Sequence, residues 1–384
     1  MTIGPTSDMK LQRTARDPAT VPPLLEAWLT GALPEGADPK VTIHSGIDSN
    51  GMSSETLVFD AEWTEDGDRS TREFVARVAP SPDEFPVFMD YALQAQYDAM
   101  RIVGERTRVP VPNVGLFEPT GEVLGTPFFL MDRIDGVVPP DVPPYNWGTA
   151  PDIDGNWITD ATDDERKKLQ DSTVGAIAGL HEIQGATDAF GFLDRHDYPG
   201  ETYLARNLAW ARAWYEWAVP DIGRSPLTEK TLDWLEANLP DTTGKDTVLC
   251  WGDSRIGNVM YKDFEPVGVL DWEMAALGPR EMDISWMMFA HMVFESITEV
   301  FGFPGMPDFL AEAEVKATYQ DLTGVELGDL TWYHLYNGVQ WCVVFMRTGA
   351  RSIHFGEVEK PDDVESLFHH KPLMERLLKE AGVQ

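Results

Sequence analysis

With 384 residues, 43% of them hydrophobic and 24% charged, the chain is globular in composition and long enough for two lobes with a sizeable core. Its 64 acidic side chains against 30 basic ones leave a formal charge of −34, which repels nucleic acid and anionic membrane surfaces. The same charge attracts a cationic small molecule where acids gather round a cleft, or serves solubility alone where they are spread over the surface.

The first 18 residues, MTIGPTSDMKLQRTARDP, hold no apolar core of signal-peptide length and predict a disordered lead-in, without export, as far as Pro22 and Pro23. A short helix is expected from Pro22 to Thr30. From 41 to 134 apolar and polar residues alternate in VTIHSG, ETLVFDAEW, REFVARVA and TPFFLMDRI, the pattern of a sheet. One helix interrupts it: Phe88, Tyr91, Leu93, Tyr97, Met100 and Ile102 recur near helical spacing up to Gly104, ahead of the extended VPVPNV. The proline- and glycine-rich VVPPDVPPYNWGTAPDIDGNW then reads as a long ordered loop over a cleft or as a flexible connection.

Beyond Asp163 the pattern turns helical, at 163–182, 201–218, 226–238, 280–298, 308–322, 330–349 and 362–381. The tryptophans of NLAWARAWYEWA, Trp210, Trp214 and Trp217, lie at helical spacing and suit the core, a cleft wall or a platform for a stacked ring. The uncharged run from Leu330 to Met346 carries His, Asn and Gln and falls about a turn short of a membrane span, so it predicts a buried core helix. Two cysteines, Cys250 and Cys342, are too few for a disulfide framework or a thiolate zinc site, which suits a reducing cytoplasm. The expected organisation is a tail and short helix over 1–40, a first lobe over 41–134 and a mainly helical second lobe over 135–384.

Within the helical half one β-like interruption stands out: TVLCWGD, NVMY, a KDFEP turn and VGVLDWE. It contains WGDSRIGN, residues 251 to 258, with Asp271 thirteen positions past Asn258. A metal-bound triphosphate needs hard oxygen ligands, one or two from the protein and the rest from phosphate and water, and Asn258 and Asp271 are the right types. If Asn258 begins one strand of a hairpin and Asp271 ends the other, both side chains return to one point. Asp253 would then sit on the entering loop, placed to accept the proton of a hydroxyl attacking a γ-phosphate. Arg255 either reaches the γ-phosphate oxygens or is a surface or structural arginine. Gly252 and Gly257 allow the loop its tight turn.

At these residues the chain resembles the aminoglycoside phosphotransferase-like family, the phosphotransferase enzyme family, over roughly residues 40 to 350. Its catalytic loop H-G-D-x-x-x-x-N and metal strand (I/L)-D-W/F-E are matched here by WGDSRIGN and VLDWE. The resemblance implies an α+β bilobal protein-kinase-like fold, with a small antiparallel-sheet N-lobe, one crossing helix and a larger helical C-lobe. It also implies nucleotide held between the lobes, with Asp253 at the catalytic position and Asn258 and Asp271 at the metal positions. Trp251 departs from the usual His, and its indole N–H and apolar ring would have to supply that residue's support of the loop.

Further matches follow in order. GIDSNGMSSETLVF, residues 46 to 59, resembles the phosphate-covering loop and brings Ser49 and Ser53 to the triphosphate. REFVARVA resembles the strand carrying the phosphate-binding cation, here Arg77 in place of Lys, and Gln96 stands where the partner Glu is expected, with Glu84 or Asp98 as compensation. PFFLMDRIDG resembles the hinge, with Met131 at the gate and the backbone of Asp132 and Ile134 set to hydrogen-bond adenine. GPREMDISWM supplies Asp283 as the brace of the catalytic loop, and IAGLHEI makes His181 a loop-support residue.

The function so implied is an ATP- and Mg²⁺-dependent small-molecule kinase, with a hydroxyl-bearing and cationic, aminoglycoside-like acceptor, and without nucleic-acid or membrane partners. Relatives of this kind also act on choline, homoserine, fructosamines, macrolides and hydroxyacyl-CoA derivatives, and the G-D-x-R-x-G-N and L-D-W-E forms resemble the hydroxyacyl-type branch at least as strongly. The competing reading is a nucleotide-binding pseudokinase or regulatory module, since Trp251, Arg77 and Gln96 depart together. A protein kinase is disfavoured because no A-P-E type segment follows Asp271 before helix resumes near Arg280.

Overall fold

The computed structural model describes residue 17 and residues 19–44, 54–81, 85–148 and 154–383. Ser49, Ser53 and Glu84, and nearly all of the expected N-terminal lead-in, lie outside the described residues. The chain divides into two compact units, one formed by Met1–Gly104 with Val111–Asp135 and the other by Glu105–Pro110 with Gly136–Gln384. Together they have the expected α+β composition.

The first unit is built on a five-stranded antiparallel sheet of β1 (Lys40–Ile43), β2 (Glu55–Glu65), β3 (Asp68–Val78), β4 (Val114–Glu118) and β5 (Phe128–Asp132), in the order β1-β2-β3-β5-β4. The β2–β3 hairpin turns through Asp66 and Gly67 with φ of 53° and 93°, the left-handed pair that matches strand twist. Period-two alternation turns Phe59, Ala61 and Trp63 inward. Helix α1 (Val21–Ala32) lays Val21, Leu25 and Leu29, spaced four apart, onto the same core, with Trp28 edge-on to Phe128 at 4.8 Å.

Helix α2 (Leu93–Arg106) starts later than its periodicity predicts. Phe85 is left-handed at φ 56° and Pro86 lacks an N–H, so Phe88 and Tyr91 precede the helix, with Phe88 still buried. β4 was not anticipated as a strand; its five residues are an edge with two of them exposed, too brief and too exposed to show alternation.

The second unit carries α3 (Asp163–His181), α4 (Ala186–Ala189), α5 (Tyr203–Ile222), α6 (Pro226–Ala237), α7 (Glu281–Phe301), α8 (Glu312–Thr323), α9 (Thr331–His354) and α10 (Lys371–Glu380). Local chemistry sets several starts: Thr162 and Glu165 form a reciprocal capping box before α3, and Ser225 caps α6 just ahead of Pro226. The uncharged run from 330 to 346 lies in α9, buried against α5, α6, α7 and α10. The last predicted helix is shorter than expected, because 364–367 form a separate 3-10 turn and α10 begins with Pro372 in its first turn. No helix of the described residues is long and apolar enough to cross a membrane.

Two short sheets interrupt the helices. β6 (Val248–Cys250) pairs with β9 (Ala276–Gly278), and β7 (Val259–Lys262) pairs with β8 (Glu265–Val269). β9 has only three residues, too few for any periodic signal, and was not anticipated. The β7–β8 turn uses Asp263 and Phe264 at φ 52° and 62°, a left-handed pair without glycine. The described part of the long loop is ordered on its own unit: Val137 bridges to Tyr261, the Tyr145 hydroxyl meets His291 Nδ1 at 2.7 Å, and Asn146 Nδ2 donates to Glu295 Oε1 at 2.6 Å. Trp214 is core, while one face of Trp210 and one of Trp217 carry the guanidinium groups of Arg195 and Arg347, each at 3.8 Å.

Candidate active site

The site begins with a brace beneath the 251–258 loop. Asp283, in the first turn of α7 and fully buried, accepts the N–H of Trp251 at 2.7 Å on Oδ2 and that of Gly252 at 2.8 Å on Oδ1. Its carbonyl accepts the Ser254 hydroxyl at 2.7 Å. His181 Nε2 lies 3.1 Å from Oδ2, and its Nδ1 meets the Tyr319 hydroxyl at 2.8 Å. Gly252, at φ 93°, passes so close to Met274 that a Cβ would stand 2.2 Å from its carbonyl oxygen, so only glycine fits.

His181, Cys250 and Asp283 bring potential metal-ligating atoms within 4.8 Å of one another. Both Asp283 oxygens are committed to loop amides, and Cys250 Sγ is a thiol donor to Pro279 O at 3.5 Å. Burial holds that thiol well above its usual range, so this trio is a hydrogen-bonded support and a poor metal ligand set.

Above the brace stands the hairpin. Val259 pairs with Val269, and the Leu270 N–H donates to Asn258 O at 2.9 Å, so Asn258 and Asp271 stand just beyond the paired ends. Asp271 is left-handed, φ 61°, a conformation that costs about 1 kcal/mol or more for a non-glycine residue. The fully buried Trp251 secures it: the indole N–H donates to Leu270 O at 2.8 Å and Asp271 O at 3.2 Å, tying the loop to the strand end.

Asn258 Nδ2 donates to Asp253 Oδ2 at 2.7 Å and to Asp253 O at 3.1 Å. The other carboxylate oxygen, Oδ1, accepts the Trp286 indole N–H at 2.7 Å and lies 3.4 Å from Arg255 Nε. Burial raises the pKa of Asp253, Arg255 opposes the rise, and the charge of Asp271 adds to it. Those contacts and that electrostatic coupling bring the three predicted residues together.

Arg255 is placed otherwise than as a freely reaching phosphate ligand. Its Nη1 lies 2.8 Å from both oxygens of Asp141, on the 136–148 loop, with the two side chains 13% and 17% exposed. Burial would lower its pKa, but Asp141 and Asp253 outweigh that and raise it. Gly257 serves this pair: a Cβ there would lie 2.3 Å from Arg255 Nη1 and 2.9 Å from Asp141 Oδ1.

Of the remaining predicted residues, those described lie in the first unit. Arg77, on β3, donates from Nε to the Tyr91 hydroxyl at 3.0 Å, and Gln96 is buried in α2. Met131 and Asp132 end β5, and Ile134 follows two residues later. The Asp132 N–H donates to Asn113 O at 2.9 Å. Trp286 and Asp141 were not identified from sequence. Neither lies at a regular offset from Asp253 or Arg255, since their contacts span 33 and 114 residues.

The donor set suits a hard divalent ion. With Asn258 Nδ2 committed to Asp253, its amide oxygen is the remaining ligand atom, and Asp271, whose charge is felt at Asp253, offers a carboxylate just past the hairpin's second strand. An amide and a carboxylate oxygen, with no thiolate or imidazole, suit Mg²⁺ over zinc or copper. A groove of about 780 Å³ elsewhere in the second unit, lined by Arg106, Arg108, Gly175, Gly179, Glu182 and Glu265 among others, includes none of these residues.

Residues 59–302 match the model of the phosphotransferase enzyme family. The chain therefore belongs to that family, and its fold is the kinase-like phosphotransferase fold. Among solved structures it resembles a Ralstonia eutropha chain provisionally described as an aminoglycoside phosphotransferase, at TM-score 0.63 and 20% identity, covering 94% of this chain and 98% of that one. It also resembles macrolide 2′-phosphotransferase MphH of Brachybacterium faecium, at TM-score 0.52 and 16% identity over 90% and 97% of the two chains. A thermostable mutant of aminoglycoside phosphotransferase APH(4)-Ia in ternary complex with AMP-PNP and hygromycin B matches at TM-score 0.51 and 14% identity, over 92% and 98%.

Curated relatives carry a different name. The chain is 26% identical to the probable acyl-CoA dehydrogenase IBR3 of Arabidopsis thaliana over 69% of its own length and 31% of that protein's. It is 25% identical to human acyl-CoA dehydrogenase family member 11 over 53% of its own length and 24% of that protein's. The chain thus spans less than a third of either relative.

Proposed function

We propose that the protein is an ATP- and Mg²⁺-dependent kinase that moves the γ-phosphoryl group to a hydroxyl of a small molecule. The observation that carries this reading is the Asp253 carboxylate, held by the Asn258 amide beside Asp271 inside the family match. In the transfer, the acceptor O–H proton passes to Asp253 as the acceptor oxygen bonds the γ-phosphorus. The bond from that phosphorus to the β–γ bridging oxygen breaks, and ADP leaves with the electron pair. Asn258 and Asp271 would hold the ion, which when bound neutralises charge on the triphosphate oxygens.

Asp253 orients the hydroxyl and accepts its proton, a role suited by the raised proton affinity that burial gives it. Arg255 keeps that carboxylate and the 136–148 loop in register through Asp141. In the first unit, Arg77 would take the phosphate cation's role, Ser49 and Ser53 the triphosphate contacts, and Met131 and the backbone of Asp132 and Ile134 the adenine contacts.

The family resemblance suggests an aminoglycoside-like acceptor and, at least as strongly, a hydroxyacyl one; the structural neighbours include a hygromycin B complex, while the curated relatives carry acyl-CoA dehydrogenase names. One acid beside the site, Asp141, is already paired with Arg255, which offsets its negative charge toward a polycation. The test is ATP-dependent phosphorylation across aminoglycosides, macrolides and hydroxyacyl thioesters, with Asp253→Ala as control. Turnover lost in that variant supports the enzyme; nucleotide binding without turnover on any acceptor favours the regulatory module.

A further inference from the structure

Helix α7 grips the catalytic loop at more than the Asp283 brace. Its residues 283 and 286 lie three apart, on one face of the helix, and both reach the same loop. Asp283 holds the amides of Trp251 and Gly252 and the hydroxyl of Ser254, while Trp286 reaches one residue between them, with Nε1 2.7 Å from Asp253 Oδ1. The Trp286 ring is 4% exposed and packs at 6.3 Å from Trp341 of α9, so neighbouring side chains fix its direction. A buried indole has a single donor, and here that donor is spent on the one carboxylate the mechanism uses.

We infer that Trp286 is a positioning residue for phosphoryl transfer, orienting the Asp253 carboxylate so that a free lone pair faces the incoming hydroxyl. The inference rests on the reading of Asp253 as proton acceptor. Asn258 fixes Oδ2 and Trp286 fixes Oδ1, so the carboxylate plane is set by two N–H donors on separate elements. A neutral donor suits this place. It fixes orientation without the full charge of a cation, which would hold the carboxylate ionised and weaken it as a base. Arg255, the cation nearby, stands farther off at 3.4 Å and is drawn toward Asp141 at 2.8 Å.

Trp286→Phe keeps the ring and removes the donor. Its turnover is measured on the best acceptor of the panel, and on water through ATP hydrolysis, alongside Asp253→Asn and the double variant. The expected result is a fall in kcat of about 10- to 100-fold, with KM for MgATP changed less than about threefold. In the Asp253→Asn background the same change should matter less than about threefold, because the group it positions is gone. A kcat within about twofold of wild type, while Asp253→Asn abolishes turnover, overturns the inference and leaves the parent reading standing. Full turnover by Asp253→Asn overturns the parent reading instead. Should Trp286→Phe fail to fold, a crystal structure of the wild type with AMP-PNP decides: an indole nitrogen beyond about 3.5 Å from the Asp253 carboxylate sinks the proposal, and one within hydrogen-bond reach sustains it.

Discussion

Asp253 and Asp283 lie thirty residues apart, one on the 251–258 loop and the other gripping it from α7, and stand in opposite condition. Asp283 is fully buried, with two loop amides and His181 on its oxygens and a hydroxyl on its own carbonyl. Asp253 keeps 16% of its side chain exposed, with one firm N–H donor on each oxygen and a proton affinity raised by burial and by Asp271. A carboxylate whose partners are all supplied by the fold is scaffold; one left with capacity and a raised proton affinity is equipped for chemistry. The two should therefore fail differently when removed.

The largest effect is expected at the open acid. Asp253→Asn should reduce turnover by about a thousandfold or more in a steady-state assay while leaving the melting temperature within a few degrees. Equal loss of stability and activity would erase the distinction from Asp283. Next comes the saturated acid: Asp283→Ala orphans two buried amides and should cost about 4 kcal/mol of stability by denaturant unfolding, with activity lost through the fold. A stable Asp283→Ala protein with a purely kinetic defect would break the comparison.

A third buried group sharpens it from the side of pH. His370 is fully buried, and burial pushes its pKa down to about 4. The unfolded chain therefore takes up this proton first as pH falls from about 6.5 to 4, and the imidazole alone should withdraw about 3 kcal/mol of stability across that window. Unfolding titrations of wild type and His370→Asn should differ in slope there and run parallel above neutral pH. Smaller still is Trp251→Phe, which loses the indole tie to Leu270 and Asp271 and should weaken MgATP binding about tenfold by calorimetry. Asp141→Asn should lower kcat only a few-fold, because Arg255 retains its approach to Asp253 and the pair is partly solvated.

The ingredients legible in the sequence were local ones. Asp253, Asn258 and Asp271 lie on one loop and hairpin, whose strand pairing is a short-range matter, and the helices announced themselves by period. Asp283 as the brace was legible through motif order, and the structure places its carboxylate on the loop amides. What escaped was long-range or brief. Trp286 meets Asp253 across 33 residues and Asp141 meets Arg255 across 114, separations at which no local spacing rule acts. β4 and β9, of five and three residues, are too short for alternation to register. The sequence leaves Arg255 open between the γ-phosphate and a surface or structural role, and the fold supplies a carboxylate 2.8 Å away.

The most direct test is crystallographic. A structure with AMP-PNP and Mn²⁺ in place of magnesium, with anomalous scattering to locate the metal, should show manganese about 2.2 Å from the Asn258 amide oxygen and the Asp271 carboxylate, with the γ-phosphate toward Asp253. Manganese bound elsewhere, or nucleotide bound with Asn258 and Asp271 turned away from it, would contradict the account.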